Sequence, residues 1–276
     1  MKQIGSDHKI FRSDEYQKDK DKFYLINQNL KSDTALLYSD EENYVICRGA
    51  IGWPTWIWTK DNFDITKLNE IMEAIELYLT DDDKDKFTCK KELYDLLVKA
   101  EFDKMNLDDY FEMGTLSCKK TKKPRQCDGE ISAPSISEKE ILVKYWFDDS
   151  QEMNGVNPIS MEQAERDVQK MLDSNKFYIW KNGNGKIVCM ANYSELEGQA
   201  KISHVYTPID ERGKGYAANL IYHMTNHLLE RNLVPLLYTD YHYLPSNKAY
   251  INVGYDDTGI LINFSCSKEK NKSFRK

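Results

Sequence analysis

From residue 129 to residue 268 two kinds of run alternate: short β-branched and aromatic stretches, and longer stretches with apolar residues three and four apart. "GEIS" reads as a strand. "SEKEILVKYWFDDSQE" and "SMEQAERDVQKMLDSN" read as helices. Three strands follow, "KFYIWKN", "KIVCMANYSE" and "AKISHVYTP", the first two joined by Asn182-Gly183-Asn184-Gly185, a strong hairpin signal. "GYAANLIYHMTNHLLERN" places Ala217, Leu220, Ile221, Met224 and Leu228 on one helical face. "VPLLYTD" reads as a buried strand, "SNKAYINVG" as a short helix ending at Gly254 as its C′ glycine, and "TGILINFSC" as a closing strand. This order confines the second half of the chain to an α/β domain.

The first half is mixed as well. "QKDKDKFYLINQNLK" predicts a first helix, and "TALLYSDEENYVICRGAIGWPTWIWTKDN" predicts strands broken at Gly49, Gly52 and Pro54. Residues 66–79 carry Leu68, Ile71, Met72, Ile75 and Leu79 on one helical face, with Thr66 as the expected N-cap, and a further helix is expected over about 89–100. Residues 117–128, "SCKKTKKPRQCD", hold five basic residues, a proline and no apolar period. They read as a solvated interdomain linker. The boundaries are therefore 1–120 for an N-terminal α+β domain, 121–128 for the basic linker, 129–268 for the second domain and 269–276 for a polar tail. No internal repeat is visible in the residues themselves.

Chemistry concentrates where a strand passes into the long helix: "TPIDERGKGYAANL". Gly213 and Gly215 let backbone N–H groups approach an anion without a β-carbon in the way. The first-turn N–H groups of the helix lack partners, and the helix dipole is positive there. Arg212 and Lys214 add charge. The spacing is neither a Walker loop nor G-x-G-x-x-G, since position 218 is Ala. Taken alone, these residues fit an anion site and a tight turn equally well.

The wider context resembles the GNAT superfamily of acyl-CoA-dependent N-acyltransferases. Arg212, Gly215 and Ala217 fill the fixed positions of R/Q-x-x-G-x-G/A. "VYTPIDERGKGYA" is similar to the strand, bulge and pyrophosphate loop of that family, "YTD" (238–240) to its fifth strand, and "PSNKAYINVGY" (245–255) to its late helix and turn. The resemblance covers about residues 129–265 and implies a mixed, mostly antiparallel, splayed sheet flanked by helices. It also extends to a subgroup with an extra N-terminal half described as a degenerate second copy. Residues 1–120 show no pyrophosphate loop, so such a copy would not bind CoA.

The resemblance further implies acetyl-CoA as cosubstrate. The amides of Arg212, Gly213, Lys214, Gly215, Tyr216 and Ala217 would take its pyrophosphate. The backbone of Val205, Tyr206 and Thr207 would pair with its pantetheine arm until Pro208 ends the pairing. Asn247 would touch the same arm. Tyr250 falls at the family's general-acid position, and an N–H near Val205 or Tyr206 would stabilise the oxyanion. His204, on the strand before that position, is a candidate base, with Glu195 and Glu211 weaker ones and a water relay an alternative. Asp148, Asp149 and Glu152 end the first helix of the domain, where they could receive a cationic amine or simply close a charged helix end.

Other signals point away from further chemistry. His223 and His227 stand four apart on the long helix, but no third ligand accompanies them, so no metal is expected. Asp81, Asp83, Asp85 and Glu92 fall at positions 1, 3, 5 and 12 of a calcium loop, yet position 6, which demands glycine, is Lys86. That stretch reads as a solvated loop. "PTWIWT" sets Trp56 and Trp58 on one face, for burial between the domains. The net charge of −7 argues against general nucleic-acid binding. No run of about 18 apolar residues predicts a membrane span, and the N-terminus has no signal-like apolar region. Six cysteines without a C-x-x-C pair read as reduced thiols of a cytoplasmic protein. The expected partner is a small-molecule or peptide amine, met by a monomer or homodimer. The rival reading is a catalytically inactive CoA-binding sensor or scaffold.

Overall fold

Ten elements recur twice along the chain in one order. The computed structural model describes residues 1–50, 53–78, 85–100, 105–153 and 158–268. The first set is β1 (Lys2–Gln3), α1 (Asp14–Asp19), α2 (Tyr24–Asn29), β2 (Leu36–Ser39), β3 (Tyr44–Arg48), β4 (Thr55–Thr59), α3 (Leu68–Tyr78), β5 (Asp85–Lys90), α4 (Lys91–Lys99) and β6 (Met105–Ser117). The second is β7 (Glu130–Ser132), α5 (Lys139–Glu152), α6 (Met161–Asp173), β8 (Phe177–Lys181), β9 (Ile187–Leu196), β10 (Gln199–Tyr206), α7 (Tyr216–Glu230), β11 (Val234–Asp240), α8 (Leu244–Val253) and β12 (Asp256–Lys268). The two sets share strand polarity too. β2, β3 and β4 are antiparallel neighbours, as are β8, β9 and β10, and the one parallel pair falls at the same place in each, β4 with β5 and β10 with β11. The repeat lies in element order, which a comparison of residues alone does not reveal.

Compactness divides the described chain slightly differently from the repeats. One unit holds the residues up to Thr115 with Asp240–His242 and those from Thr258 onward; the other holds Leu116–Thr239 and Tyr243–Asp257. The last strand of the second repeat thus completes the sheet of the first unit, β12 pairing antiparallel with β5 from Leu261↔Lys90 to Cys266↔Asp85. Residues 119–128 belong to the second unit and are tied to it. Lys122 N donates to Val253 O, and Asn219 Nδ2 donates to Arg125 O.

In the first unit the sheet is covered on both faces. Ile46, Ile57, Phe87 and Cys89 pack with Ile71 and Ile75 of α3 and Leu93 and Leu97 of α4. On the other face Trp56 meets Phe23, and Trp58 meets Tyr16, edge-on. The tryptophan pair is therefore core of this unit. Helix 17–31 of the sequence reading is divided into α1 and α2, and Asp64, rather than Thr66, caps the turn that opens α3, accepting from Thr66 N. The expected solvated loop at 81–92 is corrected at its described end. Residues 85–90 form β5, with Phe87, Thr88 and Cys89 fully buried, because strands flank it on both sides. Asp81, Asp83, Lys84 and Leu79, like the tail 269–276, lie outside the described residues.

One buried charge group holds α1 to this sheet. Asp19 is 4% exposed and accepts from Trp58 Nε1, Lys22 and Lys90. Burial alone would raise its carboxyl, but the hydrogen bonds from Lys90 and Lys22 outweigh it and hold the group below its ordinary value. A depressed folded-state value gives stability that is present above the unfolded-state value and lost as pH falls through the folded one. Asp19→Asn should lower stability by about 3 kcal/mol at neutral pH, since it leaves Lys90 with the exposed Asp61 as its remaining anion. Chemical denaturation should show that deficit shrinking as pH falls below about 4, the unfolded-state value, and on through the lower folded-state value, where the native carboxyl loses its charge.

In the second unit β7–β8–β9–β10–β11 carries a helix pair on each face. Leu142, Val143, Ala164 and Val168 of α5 and α6 pack on Phe177, Ile179, Met190 and Tyr206. Leu220, Ile221 and Met224 of α7, with Tyr250 and Val253 of α8, pack on Val188, Cys189, Ala200, Ile202 and Leu237. The hairpin closes through Gly185 N to Asn182 O, and Gly254, at φ +106°, ends α8 as expected.

Candidate functional site

Two irregularities in β10 shape the site. Its parallel pairing with β11 runs from Gln199↔Val234 to Ile202↔Leu237 and stops there. Just beyond, the antiparallel register with β9 slips: Ser203 faces Asn192, but Tyr206 faces Met190. Three steps on β10 oppose two on β9, so one residue is extra, which is a β-bulge. His204 takes up the distortion with φ +55°, outside the range most side chains favour. A bulge bends its strand and increases its twist, and the backbone of Val205, Tyr206 and Thr207 has no register partner on β11. In the first repeat β3 and β4 pair without a slip.

Beyond Thr207 the chain makes a short turn, Ile209–Glu211, and enters the glycines. Gly213 has φ +75° and Gly215 φ +91°, both in the left-handed region. A β-carbon at Gly213 would meet nothing within 4 Å, so the glycine serves the backbone angle there rather than a close approach. Gly215 is the N-cap of α7. No side chain caps the helix, and no acidic residue stands in its first turn. Its first N–H groups therefore point outward without an intrahelical partner. The corresponding turn before α3 has Asp64 as its cap and no glycine between Thr59 and Leu68, so a carboxylate already occupies the place of an anion there.

The loop's own cations are engaged. Arg212 Nε donates to Thr207 O at 2.8 Å, and its guanidinium pairs with Glu152 at the end of α5. Lys214 Nζ lies 2.8 Å from Glu211, whose other oxygen takes Lys186 at 2.6 Å. Lys186 and Lys214 hold the Glu211 carboxyl below its usual value. Arg231 does the same to Glu195 through two contacts of 2.8 and 3.0 Å. Neither glutamate is thus poised to accept a proton near neutrality. Tyr216 turns its hydroxyl to Asp128 at 3.0 Å, and Ala217 packs on the core beneath α7.

Tyr250 reaches the same region from α8. It is 7% exposed and shares a core cluster with Cys189. Its hydroxyl makes no hydrogen bond to the described residues. Burial raises its pKa, and the charges of Cys189 and Asp149 push the same way. The Cys189 thiol, pushed up to about 12 by burial, accepts from Thr207 Oγ1 at 3.3 Å. Asn247 lies one turn before Tyr250, its N–H bonded to Tyr243 O.

On the opposite face of β10 the bulge meets α5. His204 Nδ1 stands 3.3 Å from Asp149 Oδ2, and its ring lies edge-on to Trp146 at 4.0 Å. Trp146 Nε1 is buried without a hydrogen-bond partner among the described residues. The three acids singled out at the end of α5 go to different places: Asp148 to Lys144, Asp149 to His204 and Glu152 to Arg212. Val205, by contrast, packs toward α7, as strand alternation requires. Sequence reasoning missed Cys189 and Trp146, for nothing in their spacing separates them from ordinary core residues. His223 and His227 rest against Trp180 and Tyr178. Among the described residues no group of three or more His, Cys, Asp or Glu could hold a metal, and no helix is long and apolar enough to cross a membrane.

Comparisons with known proteins agree with this geometry. Residues 140–255 match the family model described as "Acetyltransferase (GNAT) family". No curated protein matches the sequence. Among solved structures, a GCN5-related N-acetyltransferase from Kribbella flavida has a TM-score of 0.61 at 13% identity, over 92% of this chain and 96% of that one. An acetyltransferase from the GNAT family of Colwellia psychrerythraea has a TM-score of 0.58 at 10% identity, over 96% and 98%. A GCN5-related N-acetyltransferase from Sphaerobacter thermophilus has 0.53 at 13%, over 82% and 81%. At such identities the likeness concerns the fold, and in the first two it extends over nearly the whole chain. The family match places residues 140–255, which hold the bulged strand and the glycine turn that opens α7, in the GNAT acetyltransferase family.

Proposed function

We propose that the protein is an N-acetyltransferase that moves the acetyl group of acetyl-CoA to a primary amine of a small molecule or peptide by direct attack. The observation that carries this reading is the continuity between the unpaired edge of β10 beyond Ile202 and the uncapped, glycine-opened N-terminus of α7. The edge suits a peptide-like arm, which the backbone of Val205, Tyr206 and Thr207 can pair as a strand would. The helix start suits a pyrophosphate, held by the amides from Arg212 to Ala217. Asn247, one turn before Tyr250, would touch the same arm.

Acetyl-CoA supplies the activated thioester; the chain's residues position and move protons. A backbone N–H near Val205 or Tyr206 stabilises the oxyanion. The Tyr250 hydroxyl gives its proton to the departing sulfur. Burial raises its pKa, which keeps the proton in place but makes the hydroxyl a weaker acid, so transfer depends on its positioning against the charge developing on sulfur. With Nδ1–H directed to Asp149, His204 keeps a lone pair on Nε2 to take a proton from the attacking amine. Asp149 beside His204 also favours an acceptor that arrives as an ammonium ion. The pairing of Glu195 and Glu211 with basic side chains leaves His204, or water near it, as the proton acceptor.

Thiol release from acetyl-CoA over a panel of amines tests the reading. Diamines, amino sugars and peptide N-termini would be included. We expect CoA release with at least one class and a product heavier by one acetyl group. Binding of acetyl-CoA with no acetylated product from any amine would favour a CoA-binding sensor or scaffold.

A further inference from the structure

Five cations stand within seven residues of the segment before β7: Lys119, Lys120, Lys122, Lys123 and Arg125. All five are exposed, and none has an ion-pair partner among the described residues. That is unusual in a chain of net charge −7 whose glycine loop has both its cations paired with glutamates. The segment is also pinned at each end. Cys118 N donates to Pro235 O, Thr121 Oγ1 to Asn226 Oδ1, and Lys122 N to Val253 O. A β-carbon on Gly254 would stand 2.5 Å from Lys120 O, so the backbones touch there. Further along, Asp128 accepts from Gly183 N, Tyr216 and, through its carbonyl, Trp180.

This strap passes beside the start of α7. Arg125 O receives Asn219 Nδ2 at 2.9 Å and lies 3.8 Å from where a β-carbon on Gly215 would be. Lys123 and Gln126 line a cavity of about 300 Å³ with Trp180, Asn219, Tyr222 and His223, along the first two turns of the helix. Positive charge held in place costs less to use than charge on a free tail, because less conformational freedom is lost on binding. The strap lies outside residues 140–255, the part of the chain that the family model matches.

We infer that Lys122, Lys123 and Arg125 form the recognition element for the 3′-phosphate of the donor's nucleotide. The inference rests on acetyl-CoA being the donor. Its pyrophosphate at the glycine turn brings the ribose within reach of the strap. The 3′-phosphomonoester is close to doubly charged at neutral pH, and Lys and Arg suit it through charge-assisted hydrogen bonds. With Arg212 and Lys214 committed to Glu152 and Glu211, the strap supplies the positive charge that this second anionic group requires.

The test compares CoA with 3′-dephospho-CoA by calorimetry on the full chain. The wild type should bind CoA about tenfold or more tightly than the dephospho form. The triple variant K122Q/K123Q/R125Q should lose that preference while binding dephospho-CoA as the wild type does. Three exposed lysines of the first unit, replaced as K9Q/K31Q/K99Q, make the same charge change elsewhere and should leave the preference intact. Equal wild-type affinity for the two ligands would overturn the inference and leave the donor reading standing. So would a triple variant that keeps the preference. Failure of both ligands to bind the wild type would remove the donor reading itself, and the inference with it.

Discussion

Tyr250→Phe should turn over acetyl-CoA about 10²-fold more slowly than the wild type and bind it equally well. The change removes one oxygen from a side chain that is 7% exposed and whose hydroxyl makes no hydrogen bond to the described residues. The packing of Tyr250 in the α7–α8 core survives, so the fold is not at stake. In the proposed mechanism what is lost is the proton for the departing thiolate. The raised pKa adds a pH signature. The side chain would stay protonated through pH 10, so the alkaline limb of kcat should show no loss of activity in the ordinary tyrosine range. Steady-state kinetics across pH would check both statements. A Phe variant as fast as the wild type would show that Tyr250 is not the acid.

Gly215→Glu should weaken acetyl-CoA binding by about 10²-fold or more, from two causes. The residue sits at φ +91°, where a side chain costs about 1–2 kcal/mol. The new carboxylate then stands at the positive end of α7 and can take the free amides for itself, as Asp64 does before α3. The nearest atoms to the added β-carbon are 3.7 Å away, so the variant has room to fold. Gly215→Ala carries the strain without the charge and should lose less. Calorimetric titration separates the two variants, and unchanged affinity in the Glu variant would refute the loop as the pyrophosphate site.

How much of this was legible in the sequence depended on how far apart the cooperating residues lie. The second repeat could be read element by element, because its hairpin, its long helix and its C′ glycine each announce themselves within a few residues. The glycine turn was legible for the same reason. β5 was not: "DKFTCK" shows two inward apolar residues among charges, and its burial depends on β12, with Thr88 bonded to Asn263 across 175 positions. The pairing of His204 with Asp149 spans 55 positions, and that of Arg212 with Glu152 spans 60. Spacing along the chain cannot report such contacts. The basic segment at 117–128 misled in a different way. Its composition is that of a solvated linker, and its backbone bonds to Val253 and Asn219 are invisible until α7 and α8 are folded. The first repeat has the same order of elements but neither the slip in register nor the open helix start, and the proposed donor site rests on those two local features of the second repeat.

Backbone amide exchange with and without saturating acetyl-CoA tests the placement of the donor most directly. The account predicts slowed exchange at Val205, Tyr206 and Thr207 and from Gly213 through Ala217, with no change at the corresponding turn before α3. Binding that left those amides exchanging as in the free protein would contradict it.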